Sequence, residues 1–299
     1  MEIFHLPRTI PRYPGSYALI SSSHATDTAV IFVHGFGGKS TSTWRDFQGL
    51  VDKLGKQYSW PQTSDMFFYS YDSRRAIQVN AQDFSRFAEY ILSAKDLSII
   101  APSNFPFPLS FVKEIYKEPR SYSRLVFVAH SEGAVVVRRS ILDKLRKIEN
   151  SDSSTPISAA ARKAEPGFIH SAMKSDPLMN ANLRLFAPAC LGTNFSAALG
   201  FLTSFSTLLY AIGAYFKARN DLLPDSPIIK QIWTETERAS KDYPACIVFR
   251  ANILFGENDN VVHVGGYNCD FVFDYEKGHT HTSICKPTEE YPRPLEFAG

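Results

Sequence analysis

The sequence feature that most restricts the fold is the segment LVFVAHSEGAVVVRRSI, residues 125 to 141. An apolar run rich in β-branched residues ends in His-Ser-Glu-Gly and passes directly into a stretch with an apolar helical side. A serine on such a sharp strand-to-helix turn has its hydroxyl lifted out of the sheet, and Gly133 leaves room where a side chain would collide with the strand. The segment therefore predicts a nucleophilic serine, Ser131, on an α/β scaffold.

Further short apolar runs are separated by segments long enough for helices, which is typical of βαβ units and a parallel sheet. A chain of 299 residues that is 44% hydrophobic can bury one large core, so we predict one domain over 1–299. We expect a polar loop over 150–176, which is rich in Ser, Ala and Pro. The predicted strands are 29–33, 66–69, 125–129, 183–186, 247–255 and 271–273, with an antiparallel edge strand over 17–21, and the predicted helices are 43–54, 79–93 and 131–148.

The strand, turn and helix around Ser131 resemble the α/β-hydrolase superfamily. Within it they are similar to the intracellular lipase and esterase group related to GPI-inositol deacylases and serine-active-site lipase-like proteins. The resemblance implies an α/β-hydrolase fold, with a mostly parallel central sheet, helices on both faces and a helical lid or cap. The motif Gly-x-Ser-x-Gly of this superfamily has glycine where this chain has Ala129, which is a small-residue variant.

The segment His-Gly-Phe-Gly-Gly at 34–38 resembles the superfamily's oxyanion loop. Its glycines let the backbone approach an anionic oxygen closely. The predicted oxyanion hole consists of the backbone amides of Phe36 and Glu132, the latter at the amino terminus of the predicted helix. The resemblance gives His34 a structural hydrogen-bonding role.

A triad in this fold has the chain order Ser, acid, His. The turn after 247–255 contains Asp259, which resembles the family's acid in the pattern Gly-x-x-Asp-x-Val-Val, and Glu257 is the alternative acid. We predict His281 as the base, because His281 with the following Thr-Ser-Ile-Cys-Lys-Pro resembles the His-x-x-Ile-Cys-Lys ending of these lipases; His279 is the alternative base. Two histidines without a clustered carboxylate or cysteine make a weak metal site, so we expect neither metal nor cofactor.

The segment 194–243 is predicted to be a lid or cap inserted in the domain. No charged residue occurs over 195–216, and its larger side chains recur every three or four residues, as on one face of a helix. Contact of 195–216 with a membrane surface and a true membrane span are the alternatives. An apolar cap favours a greasy acyl chain as part of the substrate.

These features together predict a serine hydrolase that cleaves small-molecule or lipid carboxylic esters through an acyl-enzyme intermediate. The alternative is a catalytically weak or silent hydrolase-fold module for binding or signalling, since Ala129, Ala187 and Cys190 depart from the family pattern. The near balance of 32 basic and 30 acidic residues argues against a nucleic-acid partner.

The first residues are interrupted by Pro7, Pro11 and Pro14, and they lack the apolar core of a secretory signal. Four scattered cysteines include no Cys-x-x-Cys pair, and we expect them to be reduced. The expected location is the cytoplasm, with membrane association left open.

Overall fold

The computed structural model describes residues 5–10, 12–21, 26–45, 47–54, 57–93, 120–151, 166–194 and 220–299. The strands within these ranges are β1 (His5–Thr9), β2 (Tyr17–Ser21), β3 (Thr28–Val33), β4 (Ser64–Tyr69), β5 (Arg124–His130), β6 (Asn182–Phe186), β7 (Asn252–Gly256) and β8 (Val272–Glu276). The helices are α1 (Phe47–Leu54), α2 (Ile77–Ser93), α3 (Glu132–Ser151), α4 (Pro166–Ser175), α5 (Pro227–Asp242) and α6 (Arg293–Ala298). Short 3₁₀ turns occupy Trp60–Thr63, Pro177–Asn180 and Ile247–Phe249.

The strands form one eight-stranded sheet in the order β1-β2-β4-β3-β5-β6-β7-β8. Strands β3 to β8 pair in parallel, whereas β2 is antiparallel to both of its neighbours. Strand β3 lies between β4 and β5, so the order in which strands are added reverses there. Because these three strands are parallel, their carboxyl ends lie side by side at one edge of the sheet. The predicted α/β-hydrolase fold, with its mostly parallel sheet, is confirmed.

Alternate side chains of the central strands enter two separate apolar layers. Phe32 of β3 contacts the rings of Trp44 and Phe47, which places α1 against one face of the sheet. Phe127 of β5 points to the opposite face, where it meets Phe84 of α2. Helices therefore cover both faces, as the resemblance implied.

Three sequence predictions are wrong in detail. The run 247–255 is not one strand, because Val248 and Phe249 pack inward in the 3₁₀ turn and β7 begins only at Asn252. Strand β2 is not at the edge, since β1 pairs outside it, and the edge position tolerates Pro7, which lacks a backbone N–H. Part of the predicted loop 150–176 is the helix α4, which starts at Pro166, a residue that favours the first helical position.

Of the predicted cap over 194–243, residues 195–219 lie outside the described residues. The remainder contains α5, an amphipathic helix that packs against α3 and buries Ile229 and Ile232. None of the described helices has the length and apolar run that crossing a bilayer requires.

Candidate active site

Ser131 lies at the turn between β5 and α3. Its φ is 54°, a left-handed conformation that non-glycine residues rarely adopt. The turn is held from both sides, because the Ser131 amide donates to the carbonyl of Phe186 at 3.0 Å and its carbonyl accepts from Ala134 and Ala189 at 3.1 Å. This backbone directs the serine side chain out of the sheet.

Two glycines allow the serine turn and the loop after β3 to come into contact. A Cβ on Gly133 would lie 2.5 Å from the carbonyl oxygens of Val33 and His34. A Cβ on Gly35 would lie 2.7 Å from the Cβ of Ser131. Because both distances are far below van der Waals contact, only glycine fits at these positions.

The side chains of Ser131, His281 and Asp259 form a continuous hydrogen-bonded chain. Ser131 Oγ lies 2.9 Å from His281 Nε2, and His281 Nδ1 lies 3.0 Å from Asp259 Oδ2. The carboxylate fixes the tautomer, because it accepts the proton on Nδ1 and leaves Nε2 to accept from the serine hydroxyl. The imidazole is therefore oriented to remove the proton of Ser131.

Asp259 lies in the turn after β7, with its side chain fully buried. Burial alone would raise the pKa of Asp259, but the hydrogen bond and charge of His281 lower it. The amides of Val261 and Val262 also donate to Oδ1, at 2.9 and 3.3 Å. The net result is a lowered pKa and an ionised carboxylate.

The alternative acid and base lie in different surroundings. Glu257 is exposed in the turn that also carries Asp259. The ring of His279 stacks on Tyr291 with centroids 3.6 Å apart, and its Nδ1 lies 3.3 Å from Ser283 Oγ. The structure thus links Ser131 to His281, and His281 to Asp259, by hydrogen bonds. Glu257 and His279, the alternative acid and base, are not the residues in this chain of hydrogen bonds.

The loop after β3 contains a tight turn in which the amide of Gly38 donates to the carbonyl of Gly35 at 3.0 Å. Gly37, at φ 65°, takes the left-handed position of this turn, and Phe36 precedes it. Phe36 and Glu132 therefore lie on the two segments that meet at Ser131. Burial lowers the pKa of His34 to about 4, so this histidine is neutral near pH 7.

Glu132, directly after Ser131, is a fully buried acid. Neither carboxyl oxygen has a hydrogen-bond partner among the described residues. Burial raises the pKa of Glu132 well above its usual range, and the negative charges of Asp221 and Asp72 add to this shift. The carboxyl group is consequently held in its neutral form.

The segment after β6 contains Ala187 and Cys190, two of the three positions that depart from the pattern of the resembled lipases. Ala187 adopts φ 43°, and its amide donates to the carbonyl of Leu254 at 2.8 Å. Cys190 is buried, which raises the pKa of its thiol to about 12. The thiol is therefore protonated and unreactive, while the neighbouring Ala189 amide supports the serine turn.

Sequence reasoning did not single out three residues that contact this site. His130 hydrogen-bonds the backbone of His281, and Tyr71 and Ser73 hydrogen-bond the loop after β3. The available signal was position, because polar side chains that follow parallel neighbouring strands gather at one edge of the sheet. Within the described ranges, no three His, Cys, Asp or Glu side chains gather as metal ligands would.

No protein-family model matches the sequence, and no curated protein matches it either. Solved structures similar to this chain include a lipase of Bacillus licheniformis, with 13% identity, 92% of this chain and 93% of that chain covered, and a TM-score of 0.47. The peroxisomal α/β-hydrolase of Saccharomyces cerevisiae has 12% identity, with 99% and 85% of the two chains covered and a TM-score of 0.45. The phospholipase PlaB of Legionella pneumophila has 15% identity over 77% of this chain, with a TM-score of 0.42, and the match spans only 38% of the phospholipase.

Proposed function

We propose that this protein is a serine hydrolase that cleaves carboxylic esters through an acyl-enzyme intermediate. One observation carries the proposal. A buried carboxylate, an imidazole and a serine hydroxyl are linked in sequence by contacts of 3.0 and 2.9 Å, and the serine lies on a left-handed strand-to-helix turn. This is the geometry that nucleophilic catalysis by an alcohol requires.

In the proposed mechanism, His281 Nε2 accepts the proton of Ser131 as Oγ attacks the ester carbonyl carbon. The protonated imidazole, stabilised by Asp259, then donates that proton to the departing alcohol. A water molecule attacks the resulting acyl-Ser131 and gives its proton to His281. The proton returns to Ser131 Oγ as the carboxylic acid leaves, so the enzyme is regenerated without a cofactor.

The negative oxygen of each tetrahedral intermediate is assigned to the backbone amides of Phe36 and Glu132. Glu132 is the first residue of α3, where backbone amides have no partner within the helix. Gly35 packs directly on Ser131 and brings the next residue, Phe36, to the serine. Two fixed amides at this place would stabilise the charge that develops on the carbonyl oxygen.

The proposed substrate is a lipid or other acyl ester. Support comes from the sequence of 195–216, in which large apolar residues recur every three or four positions and which follows the segment that borders Ser131. The finer resemblance to GPI-inositol deacylase-like lipases agrees with such a substrate. The same proposal includes a cytoplasmic location, contact with a membrane surface through 195–216, and no nucleic-acid partner.

The competing interpretation is a hydrolase-fold module that binds without catalysis. It was motivated by Ala129, Ala187 and Cys190. An unbroken hydrogen-bond chain from Asp259 to Ser131 favours the enzyme, because a module freed from catalysis has no need to maintain it.

A panel of p-nitrophenyl esters with acyl chains from acetyl to palmitoyl tests the proposal. We expect the wild type to turn over at least one ester and Ser131→Ala to lose about four to six orders of magnitude in kcat. Ser140→Ala removes another buried serine of α3 and should retain activity. Equal turnover by Ser131→Ala and the wild type would refute the mechanism, and a wild type inactive on the whole panel would favour the binding module.

A further inference from the structure

Residues 71–73, which follow β4, hydrogen-bond to the loop that carries Phe36. Strands β3 and β4 are parallel neighbours, and Val33 is in register with Tyr69. Both strands therefore end at the same edge of the sheet, and the two loops that follow them meet.

Tyr71 holds His34 at both of its polar ends. The Tyr71 hydroxyl donates to the His34 carbonyl at 2.9 Å, and the Tyr71 amide donates to His34 Nε2 at 3.2 Å. The two rings stack with centroids 4.3 Å apart and planes 11° from parallel. His34 is thus fixed by one hydrogen bond to its carbonyl, one hydrogen bond to its imidazole and one ring contact.

Ser73 holds the other side of the turn. Its Oγ accepts a hydrogen bond from the Gly37 amide at 2.9 Å, and the serine is buried. The loop after β3 is consequently attached to residues 71–73 both before and after Phe36.

We propose that Tyr71 and Ser73 are positioning residues that fix the amide of Phe36 beside Ser131. This inference rests on the proposed function, because it assigns a role in transition-state stabilisation. Neither side chain needs to touch the substrate, since Tyr71 acts through His34 and Ser73 acts through Gly37.

The expected effect falls on the chemical step rather than on substrate binding. Donors that are already in place require no reorganisation when charge develops on the carbonyl oxygen. If the loop is released, its amide must be reoriented in each turnover, and this cost arises only in the transition state. The value of kcat should therefore fall while KM changes little.

The test uses variants that remove single atoms from each contact. Tyr71→Phe removes the hydroxyl but keeps the ring and the amide. Ser73→Ala removes the acceptor for Gly37, whereas Ser73→Thr keeps one. The matched control is Tyr243→Phe. Tyr243 lies at the end of α5, and the variant loses the 2.9 Å hydrogen bond from its phenol hydroxyl to Glu149.

Two experiments are done on each protein: steady-state kinetics on p-nitrophenyl butyrate, which gives kcat and KM, and amide hydrogen exchange over 34–38. We expect kcat to fall on the order of tenfold in Tyr71→Phe and Ser73→Ala, with faster exchange of the Gly37 amide in Ser73→Ala. Ser73→Thr and Tyr243→Phe should match the wild type within about twofold.

Unchanged kcat in both loop variants would overturn the positioning role, while an active wild type would leave the hydrolase proposal intact. Unchanged exchange over 34–38 would overturn it as well, whatever the activity. A wild type without activity on any ester would instead remove the proposed function, and with it a catalytic role for these contacts.

Discussion

The ring of His130 donates a hydrogen bond through Nε2 to the backbone carbonyl of His281, at a distance of 2.8 Å. His130 directly precedes Ser131, and His281 lies 151 residues after His130, in the loop after β8. The residue before the candidate nucleophile therefore anchors the loop that carries the candidate base. Burial, with a smaller effect of His281, lowers the pKa of His130 to about 3, so the anchor stays neutral.

Replacing His130 should loosen the loop that carries His281 without changing which groups titrate in the pH profile. His130→Phe keeps a ring in the site but leaves the His281 carbonyl without its donor, a loss of about 1–3 kcal/mol for a buried group. We expect kcat to fall on the order of tenfold or more, while the pH dependence of kcat/KM keeps its shape. If the wild-type profile contains an ionisation that His130→Phe loses, the neutral anchor is contradicted.

The two late histidines should differ sharply on substitution. His281→Ala removes the group that contacts Ser131 Oγ, and kcat should fall by at least about three orders of magnitude. His279→Ala removes a ring that stacks on Tyr291, and activity should change by less than about tenfold. Steady-state kinetics on one ester decides, and a greater loss in His279→Ala would reverse the assignment.

Asp259→Asn should reduce both kcat and the pH-dependent part of the free energy of unfolding. The amide cannot hold the tautomer of His281, and a loss of about 10⁴ in kcat is the expected scale. The folded-state pKa of Asp259 is lowered, so its stabilising contribution is present above the unfolded-state pKa and is lost as the pH falls through the folded-state pKa.

Thermal unfolding tests the second part of this prediction. The variant should have a lower Tm than the wild type at pH 7, and the difference should shrink below about pH 4. A difference in Tm that does not depend on pH would argue against a stabilising ionised Asp259.

Glu132→Gln should show the opposite dependence. The folded-state pKa of Glu132 is raised by burial and, to a smaller extent, by the charges of Asp221 and Asp72. The contribution of the neutral carboxyl group to the free energy of unfolding is fully present below the unfolded-state pKa. It is lost as the pH rises towards the folded-state pKa.

The glutamine variant cannot ionise, so its Tm should exceed that of the wild type by about 2 °C or more at pH 8. At about pH 4 the two proteins should unfold at nearly the same temperature. A lower Tm for Glu132→Gln at pH 8 would show that the ionised carboxylate has a stabilising partner.

Local sequence patterns predicted the strands whose residues are buried along their whole length. The strands at 29–33, 66–69 and 125–129 are apolar on both faces, as parallel strands covered by two helical layers must be. The serine turn is equally local, because Ser131, Gly133 and the following apolar helix are contiguous in the sequence. These features could be predicted from residue order alone.

Contacts that depend on tertiary packing could not be predicted in this way. The apolar run 247–255 satisfies burial as a 3₁₀ turn followed by β7, and hydrophobicity alone does not distinguish that from one strand. The bond from Tyr71 to His34 joins loops 37 residues apart. Which of His279 and His281 faces Ser131 depends on how the last loop folds back over β5.

If Ser131 is an activated nucleophile, a fluorophosphonate probe should attach covalently to its Oγ. The wild-type protein is incubated with the probe, digested, and analysed by peptide mass spectrometry for the site of attachment. We expect one adduct, on Ser131. We expect no labelling of Ser131→Ala, while the circular dichroism spectrum and Tm of this variant stay near those of the wild type. Undiminished labelling of folded Ser131→Ala, or a folded wild type that never reacts at Ser131, would contradict the assignment of Ser131 as the nucleophile.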